Sequence, residues 1–182
     1  MHNLMKEVVV VGGAKGVGKT KIIESSQPYL STYCIFSLGK YLQELSLTLH
    51  GKYFPLLDSA KKLQIRNQME EVILRLCKRS NLILDMHFGE FEEEGYPCVV
   101  PKKLLRHITR LVLITAASEE ILKRRILDTK PRITDEVNIS VNVVGEKLHY
   151  ENLCRSLQVN HIVLKNIDKQ VTIKQFCRFI KS

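Results

Sequence analysis

The stretch "VVVVGGAKGVGKT" at residues 8–20 restricts the fold of this chain more than any other feature of the sequence. The run Glu7–Val11 predicts a central strand buried on both faces, because a half-exposed strand alternates apolar and polar residues. The segment Gly13–Thr20 fits the pattern G-x-x-x-x-G-K-[ST], and a helix is predicted directly after it over Lys19–Ser26. A strand, a glycine-rich loop and a helix in this order are typical of a loop that binds phosphate.

The residue types in this loop match the chemistry of polyphosphate binding. Its glycines let backbone N–H groups approach the phosphates, which larger side chains would prevent. Lys19 would place a point charge between the β- and γ-phosphates, and Thr20 would supply a hydroxyl group to Mg²⁺. The loop as a whole is therefore predicted to bind the nucleotide through Gly13, Ala14, Lys15, Gly16, Val17, Gly18, Lys19 and Thr20.

Short apolar runs alternate with helical patterns along the rest of the chain. Besides the first strand, the predicted strands are Tyr33–Phe36, Leu82–Leu84, Leu111–Ile114 and Ile162–Leu164. The predicted helices are Lys19–Ser26, Gly39–His50, Ala60–Arg79, Lys102–His107, Ser118–Leu127, Asp135–Leu157 and Lys169–Ile180. This alternation indicates a parallel sheet covered by helices on both faces, with ligands beyond the carboxyl ends of the strands.

The loop after the third strand carries two candidate residues. Asp85 ends the strand in "NLILDMHFGE", where an acid beside the phosphate loop can hold Mg²⁺, usually through a water molecule. His87 lies two residues later and would point toward the same cleft. Both residues are predicted to belong to the catalytic site.

Arginines follow the fourth strand in "EEILKRRILDTKPRITDE". Arg124 and Arg125 lie late in a predicted helix, and Arg132 lies in a short loop after it. Guanidinium groups suit the negative charge that spreads over a phosphoryl group during transfer. Because neighbouring residues on a helix diverge by about 100°, only one of the pair is expected to face the site fully, and Arg124 is preferred.

The composition is that of one globular domain, with 45% hydrophobic and 26% charged residues over 182 positions. No apolar run approaches the ~20 residues that cross a bilayer, and no secretory signal is recognised, so no membrane partner is expected. The five scattered cysteines form no CxxC pair, which favours a reducing, cytoplasmic compartment. The net charge of +9 would suit nucleic acid, but the basic residues are dispersed without interleaved aromatics, so that partner is not favoured.

Together these motifs resemble the P-loop nucleoside monophosphate kinases, most closely the archaeal-type and small nuclear adenylate kinases. The resemblance covers nearly the whole chain and rests on "GGAKGVGKT", "FSLG", "LD" at residues 57–58, "LILDMH", "ILKRR", "RITDE" and "VLKN". It implies an α/β fold, the P-loop NTPase three-layer sandwich, with a five-stranded parallel sheet. It also implies a single kinase domain over residues 1–182, an acceptor-binding segment at about 37–66 and a short lid at about 128–136.

The resemblance implies transfer of the ATP γ-phosphoryl group to a nucleoside monophosphate, with AMP as the expected acceptor and ATP and Mg²⁺ as cofactors. Thr20 and Asp85 would hold the metal, and Lys165 with Asn166 would contact the adenine of ATP. The catalytic set that it implies is Lys19, Asp85, His87, Arg124 and Arg132.

The acceptor side departs from the family pattern. Many nucleoside monophosphate kinases carry Gly-Asp and then an arginine in the acceptor helix. Here Gly39 is followed by Lys40, and no arginine precedes Arg66. The acceptor phosphate is therefore assigned to Gly39, Lys40 or Arg66, with Lys62 as a further candidate.

Other functions share parts of this pattern. A GTPase is disfavoured, because "KNID" at 165–168 inverts the guanine-reading order and Phe88 stands where a phosphate-sensing glycine would be. A P-loop kinase of a small metabolite shares the architecture. An ATPase that acts as an assembly factor on RNA or ribonucleoprotein would account for the +9 charge. The sequence does not predict an oligomeric state.

Overall fold

The computed structural model describes residues 6–89, 98–128 and 134–182. Within these ranges, five strands form one parallel sheet in the order β2-β3-β1-β4-β5. The strands are β1 (Val8–Gly12), β2 (Tyr33–Ser37), β3 (Asn81–Asp85), β4 (Arg110–Thr115) and β5 (Asn160–Lys165). Arg132 and most of the predicted lid at about 128–136 lie outside the described residues.

The connections between the strands are mainly helical. The α-helices are α1 (Lys19–Ser26), α2 (Leu38–His50), α3 (Ser59–Cys77), α4 (Ser118–Ile126), α5 (Glu136–Leu157) and α6 (Lys169–Lys181). These bounds agree with the predicted helices to within a few residues. The segment Lys102–His107 is a 3₁₀ helix that begins after Pro101, and such tighter helices are common in short connectors.

Helices cover both faces of the sheet. Successive residues of each strand point to opposite sides, so each strand packs against the helices of both faces. Val8 and Val10 pack toward α3 and the later part of α5, whereas Val9 and Val11 pack toward α1 and α6. All four valine side chains are at most 1% exposed. Full burial of a residue of this size stabilises a fold by roughly 1.5–3 kcal/mol. The predicted three-layer α/β sandwich is confirmed.

Helix α5 contributes to both core layers. Ile139, near its start, belongs to the cluster on the α1 face, whereas Tyr150 and Leu153 belong to the cluster on the α3 face. The middle of α5 therefore passes the carboxyl edge of the sheet. No helix within the described ranges has the length and apolar character to span a bilayer.

The register of the sheet brings the candidate residues together. Val11 of β1 pairs with Asp85 of β3, and Ser37 of β2 pairs with the same aspartate. The loop after β1 therefore begins directly beside Asp85, at the edge where all five strands end.

The loop after β1 also depends on the absence of a side chain at Gly13. A Cβ atom there would lie 2.1 Å from the carbonyl oxygen of Ile114, and φ is +140°, which is strained for any other residue. We expect Gly13→Ala to lower the free energy of unfolding by roughly 2–6 kcal/mol, from backbone strain and steric overlap. Urea denaturation measures this change.

Gly39→Ala provides the matched control. A Cβ atom at Gly39 would meet nothing within 4 Å, and the residue lies in α2. The unfolding free energy of this variant should stay unchanged or rise by up to ~1 kcal/mol, because alanine loses less backbone entropy in a helix. Equal losses of unfolding free energy in the two variants would show that the close approach of Gly13 to Ile114 does not cause the destabilisation.

Candidate functional site

The phosphate loop lies against the ends of β4 and β5. Gly18 has φ of +94° and forms the N-terminal boundary of α1, with no side-chain cap. A Cβ atom at Gly18 would lie 2.6 Å from the side-chain nitrogen of Asn166. The glycine therefore serves the packing of the loop as well as its backbone conformation. The uncapped first turn of α1 leaves backbone N–H groups beside the loop.

Lys19 is enclosed by the loop that precedes it. Its side chain is 7% exposed, and Nζ donates a hydrogen bond to the carbonyl oxygen of Gly13 at 2.5 Å. A buried ammonium group is costly unless it is paired. The loop thus holds a positive charge at its centre, where an anionic ligand would neutralise it.

The two predicted metal ligands contact each other. Thr20 Oγ1 donates a hydrogen bond to Asp85 Oδ2 at 2.7 Å, and Asp85 is 6% exposed. A hydroxyl and a carboxylate are the hard oxygen donors that Mg²⁺ prefers. The donor set beside the phosphate loop therefore fits a magnesium ion.

A buried glutamate on α5 forms part of the same site. Glu146 is 1% exposed, and its Oε2 accepts hydrogen bonds from the N–H groups of Gly13 at 3.2 Å and Phe88 at 2.8 Å. Its Oε1 lies 2.7 Å from Nδ1 of His87. Glu146 thus joins the start of the phosphate loop, the segment after β3 and α5.

Glu146 was not among the residues predicted from the sequence. It lies in a stripe of buried or half-buried positions on α5, at the helical spacing Ile139, Val143, Glu146, Tyr150 and Leu153. An acid within an otherwise apolar stripe is the signal that could have identified it.

His87 lies at the carboxyl edge of the sheet, as the sequence predicts. Burial and the nearby Lys19 ammonium lower the pKa of His87 below its ordinary value, although Glu146 opposes the shift. The imidazole is therefore predominantly neutral at neutral pH.

Both arginines of the pair on α4 contact the phosphate loop. Arg124 donates to the carbonyl oxygens of Val17 at 3.0 Å and Asn166 at 2.9 Å. Arg125 is 6% exposed and donates to the carbonyl oxygen of Lys15 from Nε at 3.0 Å and Nη2 at 2.7 Å. Both side chains reach the loop because two long side chains can converge on carbonyls of one curved segment, and the preference for Arg124 as the residue that faces the site fully stays a prediction.

The loop after β5 contributes differently through its two predicted residues. Asn166 is 7% exposed, and its side-chain amide donates to the carbonyl oxygen of Val17 at 2.7 Å. Its backbone N–H bonds to Thr115 at 2.8 Å. Lys165 is exposed, and Ile167, the residue after Asn166, is 85% exposed. Asn166 therefore fixes the phosphate loop, while Lys165 and Ile167 offer surface beside it.

The predicted acceptor residues lie in the segment formed by α2 and α3. Gly39 and Lys40 are exposed in the first turn of α2, and Lys40 Nζ lies 3.8 Å from Glu44. The Arg66 guanidinium of α3 lies 5.8 Å from the centroid of the Phe54 ring. These described contacts stay within the α2–α3 segment, so the structure does not select one residue as the phosphate ligand.

Comparison with known proteins identifies the family. Residues 12–141 match the profile of a family described as an AAA domain, which covers more than half of the chain. The chain belongs to this AAA domain family. The adenylate kinase of Methanocaldococcus jannaschii is 26% identical over 164 residues, which are 85% of this chain and 83% of that protein.

Solved kinases share the fold of this AAA domain protein. Shikimate kinase from Bacteroides thetaiotaomicron has a TM-score of 0.61 at 10% identity, covering 97% of this chain and 99% of its own. Deoxyadenosine kinase from M. mycoides, with dCMP and dCDP bound, has a TM-score of 0.62 at 11% identity, covering 96% and 98%. The predicted P-loop fold and the resemblance to archaeal adenylate kinases are confirmed. The adenylate kinase, the shikimate kinase and the deoxyadenosine kinase agree with the predicted class of phosphotransferase.

The contacts of Arg125 predict that its replacement affects the protein more than replacement of an exposed residue of α4. We expect Arg125→Ala to lower the free energy of unfolding by roughly 1.5–3 kcal/mol, because the carbonyl of Lys15 loses a charged donor. The affinity for an ATP analogue should also fall, since the loop is no longer held in shape. Urea denaturation and titration calorimetry measure the two effects.

Lys123→Ala is the control on the same helix. Lys123 is exposed and pairs with Glu120, away from the loop. Its replacement should change stability by no more than about 0.5 kcal/mol and leave analogue binding intact. If Lys123→Ala and Arg125→Ala lowered stability and analogue binding equally, the buried contact of Arg125 with the loop would not be the cause of these losses.

Proposed function

We propose that this protein is an ATP-dependent nucleoside monophosphate kinase that transfers the γ-phosphoryl group of ATP to a nucleoside monophosphate, with AMP as the preferred acceptor. The observation that carries the proposal is the direct contact of Thr20 with Asp85 beside a loop that encloses Lys19. The similarity to an archaeal adenylate kinase supports the choice of acceptor class.

On this proposal, the triphosphate of ATP lies along Gly13–Thr20. Lys19 and the backbone N–H groups of the loop orient and neutralise the β- and γ-phosphates. Thr20 and Asp85 hold Mg²⁺, which when bound neutralises charge on the same phosphates. Lys165 contributes to the adenine contact from the end of β5, where Ile167 provides apolar surface.

The acceptor occupies the segment at about 37–66, between the end of β2 and α3. Its phosphate is already anionic at neutral pH, so the attack on the γ-phosphorus requires no general base. Catalysis then consists of positioning the two substrates and neutralising their charge. Gly39, Lys40 and Arg66 are the proposed contacts for the acceptor, and His87 and Arg124 act at the phosphates. Arg132 is proposed from the sequence alone as a second clamp.

The net charge of +9 favours one other candidate, an ATPase that acts on RNA or ribonucleoprotein. A basic surface would bind a nucleic-acid backbone without any need for a monophosphate acceptor. The shared fold with shikimate kinase keeps a small-metabolite kinase as the third candidate. The same assay separates the nucleoside monophosphate kinase from both alternatives.

The decisive experiment is a panel of acceptors with ATP and Mg²⁺. We expect phosphoryl transfer to AMP to exceed background hydrolysis of ATP. Chromatography of the nucleoside diphosphates measures the transfer. Lys19→Ala should reduce this turnover by roughly 10²- to 10³-fold, because one charge at the transferring group is lost. Lys21 is exposed and lies two residues further along α1, and Lys21→Ala should retain this turnover. Slow hydrolysis that ignores every monophosphate but rises with RNA would favour the ATPase instead.

The metal site is tested separately through Asp85. We expect Asp85→Asn to raise the Mg²⁺ concentration for half-maximal turnover by roughly 10- to 100-fold, because an amide binds the ion or its waters less strongly. Asp168→Asn is the matched control, since asparagine caps α6 as well as aspartate does. An unchanged Mg²⁺ dependence in Asp85→Asn would remove this residue from the metal site.

A further inference from the structure

The two carboxylate oxygens of Glu146 have different hydrogen-bond partners. Oε2 accepts two backbone N–H groups, from Gly13 and Phe88, and these bonds fix the direction of the whole carboxylate. Oε1 is thereby aimed at Nδ1 of His87, at 2.7 Å. The backbone bonds alone would satisfy the buried N–H groups, so the contact with His87 is an additional feature that the fold does not require.

Burial makes this arrangement costly enough to need an explanation. A carboxylate at 1% exposure loses its hydration, which costs several kcal/mol unless strong donors replace the water. An amide oxygen could accept the same two backbone N–H groups without carrying a charge. A glutamine at this position would therefore serve the loop at a lower desolvation cost. The charge strengthens the contact at the second oxygen, which faces the histidine.

A carboxylate oxygen accepts hydrogen bonds, so Nδ1 of His87 is the donor in this contact. His87 follows Asp85 by two residues, and its side chain is 26% exposed at the carboxyl edge of the sheet. One ring nitrogen of His87 is thus bound in the interior, while the rest of the ring retains access to the cleft.

We propose that Glu146 is a positioning residue for phosphoryl transfer: it accepts the hydrogen bond of Nδ1 of His87 and so fixes the orientation of the ring, with Nε2 directed to the cleft. This arrangement, in which a buried acid orients a histidine that faces the reactants, is a general one in enzymes. The kinetic part of the inference rests on the proposed kinase function. The hydrogen bond from Nδ1 of His87 to Glu146 does not.

The first experiment needs no activity. The ¹⁵N chemical shifts of the histidine rings in the wild-type protein report which nitrogen carries the proton, and the spectrum of His87→Ala assigns the signals of His87. We expect Nδ1 to be protonated. In Glu146→Gln the side-chain NH₂ group faces Nδ1, so Nδ1 should lose its proton. An unprotonated Nδ1 in the wild-type ring would overturn the proposal.

The second experiment is a double-mutant cycle of Glu146→Gln and His87→Ala, with kcat and KM for ATP measured in each variant. Glutamine keeps an oxygen for the two backbone N–H groups, so KM for ATP should change less than about threefold. We expect kcat to fall roughly 10- to 100-fold in the wild-type background. In the His87→Ala background the same substitution should change kcat by less than about twofold, because the two residues act as one unit.

Glu7→Gln is the matched control for loss of a partly buried carboxylate. Glu7 pairs with Arg110 at the amino ends of the strands, away from the cleft. Its replacement should lower stability without changing kcat or the protonation of Nδ1 in His87. If Glu146→Gln does not fold, Glu146→Asp takes its place in the cycle, since the shorter carboxylate withdraws from His87 while keeping its charge.

The outcomes separate this inference from the proposed function. An equal loss of kcat from Glu146→Gln in both backgrounds would show that Glu146 acts through the fold rather than through His87, and would overturn the proposal. If no monophosphate is phosphorylated, the kinase assignment fails, while the protonation of Nδ1 and the double-mutant cycle on ATP hydrolysis still decide the role of Glu146.

Discussion

Side chains from three other parts of the fold hold the backbone of Gly13–Thr20 in a curve that no helix or strand provides. Two arginines of α4 and Asn166 after β5 bind its carbonyl oxygens, and Glu146 of α5 binds its first N–H. Each buried backbone group left without a partner would cost roughly 1–3 kcal/mol. The conformation of the loop therefore depends on α4, α5 and the end of β5 lying together at this edge of the sheet.

The same contacts bring charges of both signs to the loop. Cationic groups, those of Lys19 and the arginines of α4, bind loop carbonyls and so keep their positive charge close to the backbone. The carboxylates of Asp85 and Glu146 lie at the end of β3 and on α5. An anion in the loop is attracted by the cationic groups, and a cation beside it is attracted by Asp85. A polyphosphate with its divalent metal matches both requirements.

Much of this fold follows from local pattern. The β-branched run before the loop and the alternation of apolar strands with helical spacing suffice to predict a parallel sheet. The position of Asp85 at a strand end predicts the edge at which the candidate residues lie. Parallel strands make that inference strong, because all their carboxyl ends meet at one edge. The segment Lys102–His107 was less predictable, since a helix this short follows its surroundings rather than its own propensity.

The sequence by itself determined the phosphate loop, with Lys19, Thr20 and Asp85 at its end, because short spacing and one pair of neighbouring strands place these groups. Only the tertiary structure decided that Glu146 reaches His87 from a helix 59 residues away in sequence, and that Arg125 is buried against the loop beside Arg124. Such contacts depend on where a helix crosses the sheet edge and which way long side chains turn. Those choices are made by packing of the whole chain, and no local spacing records them.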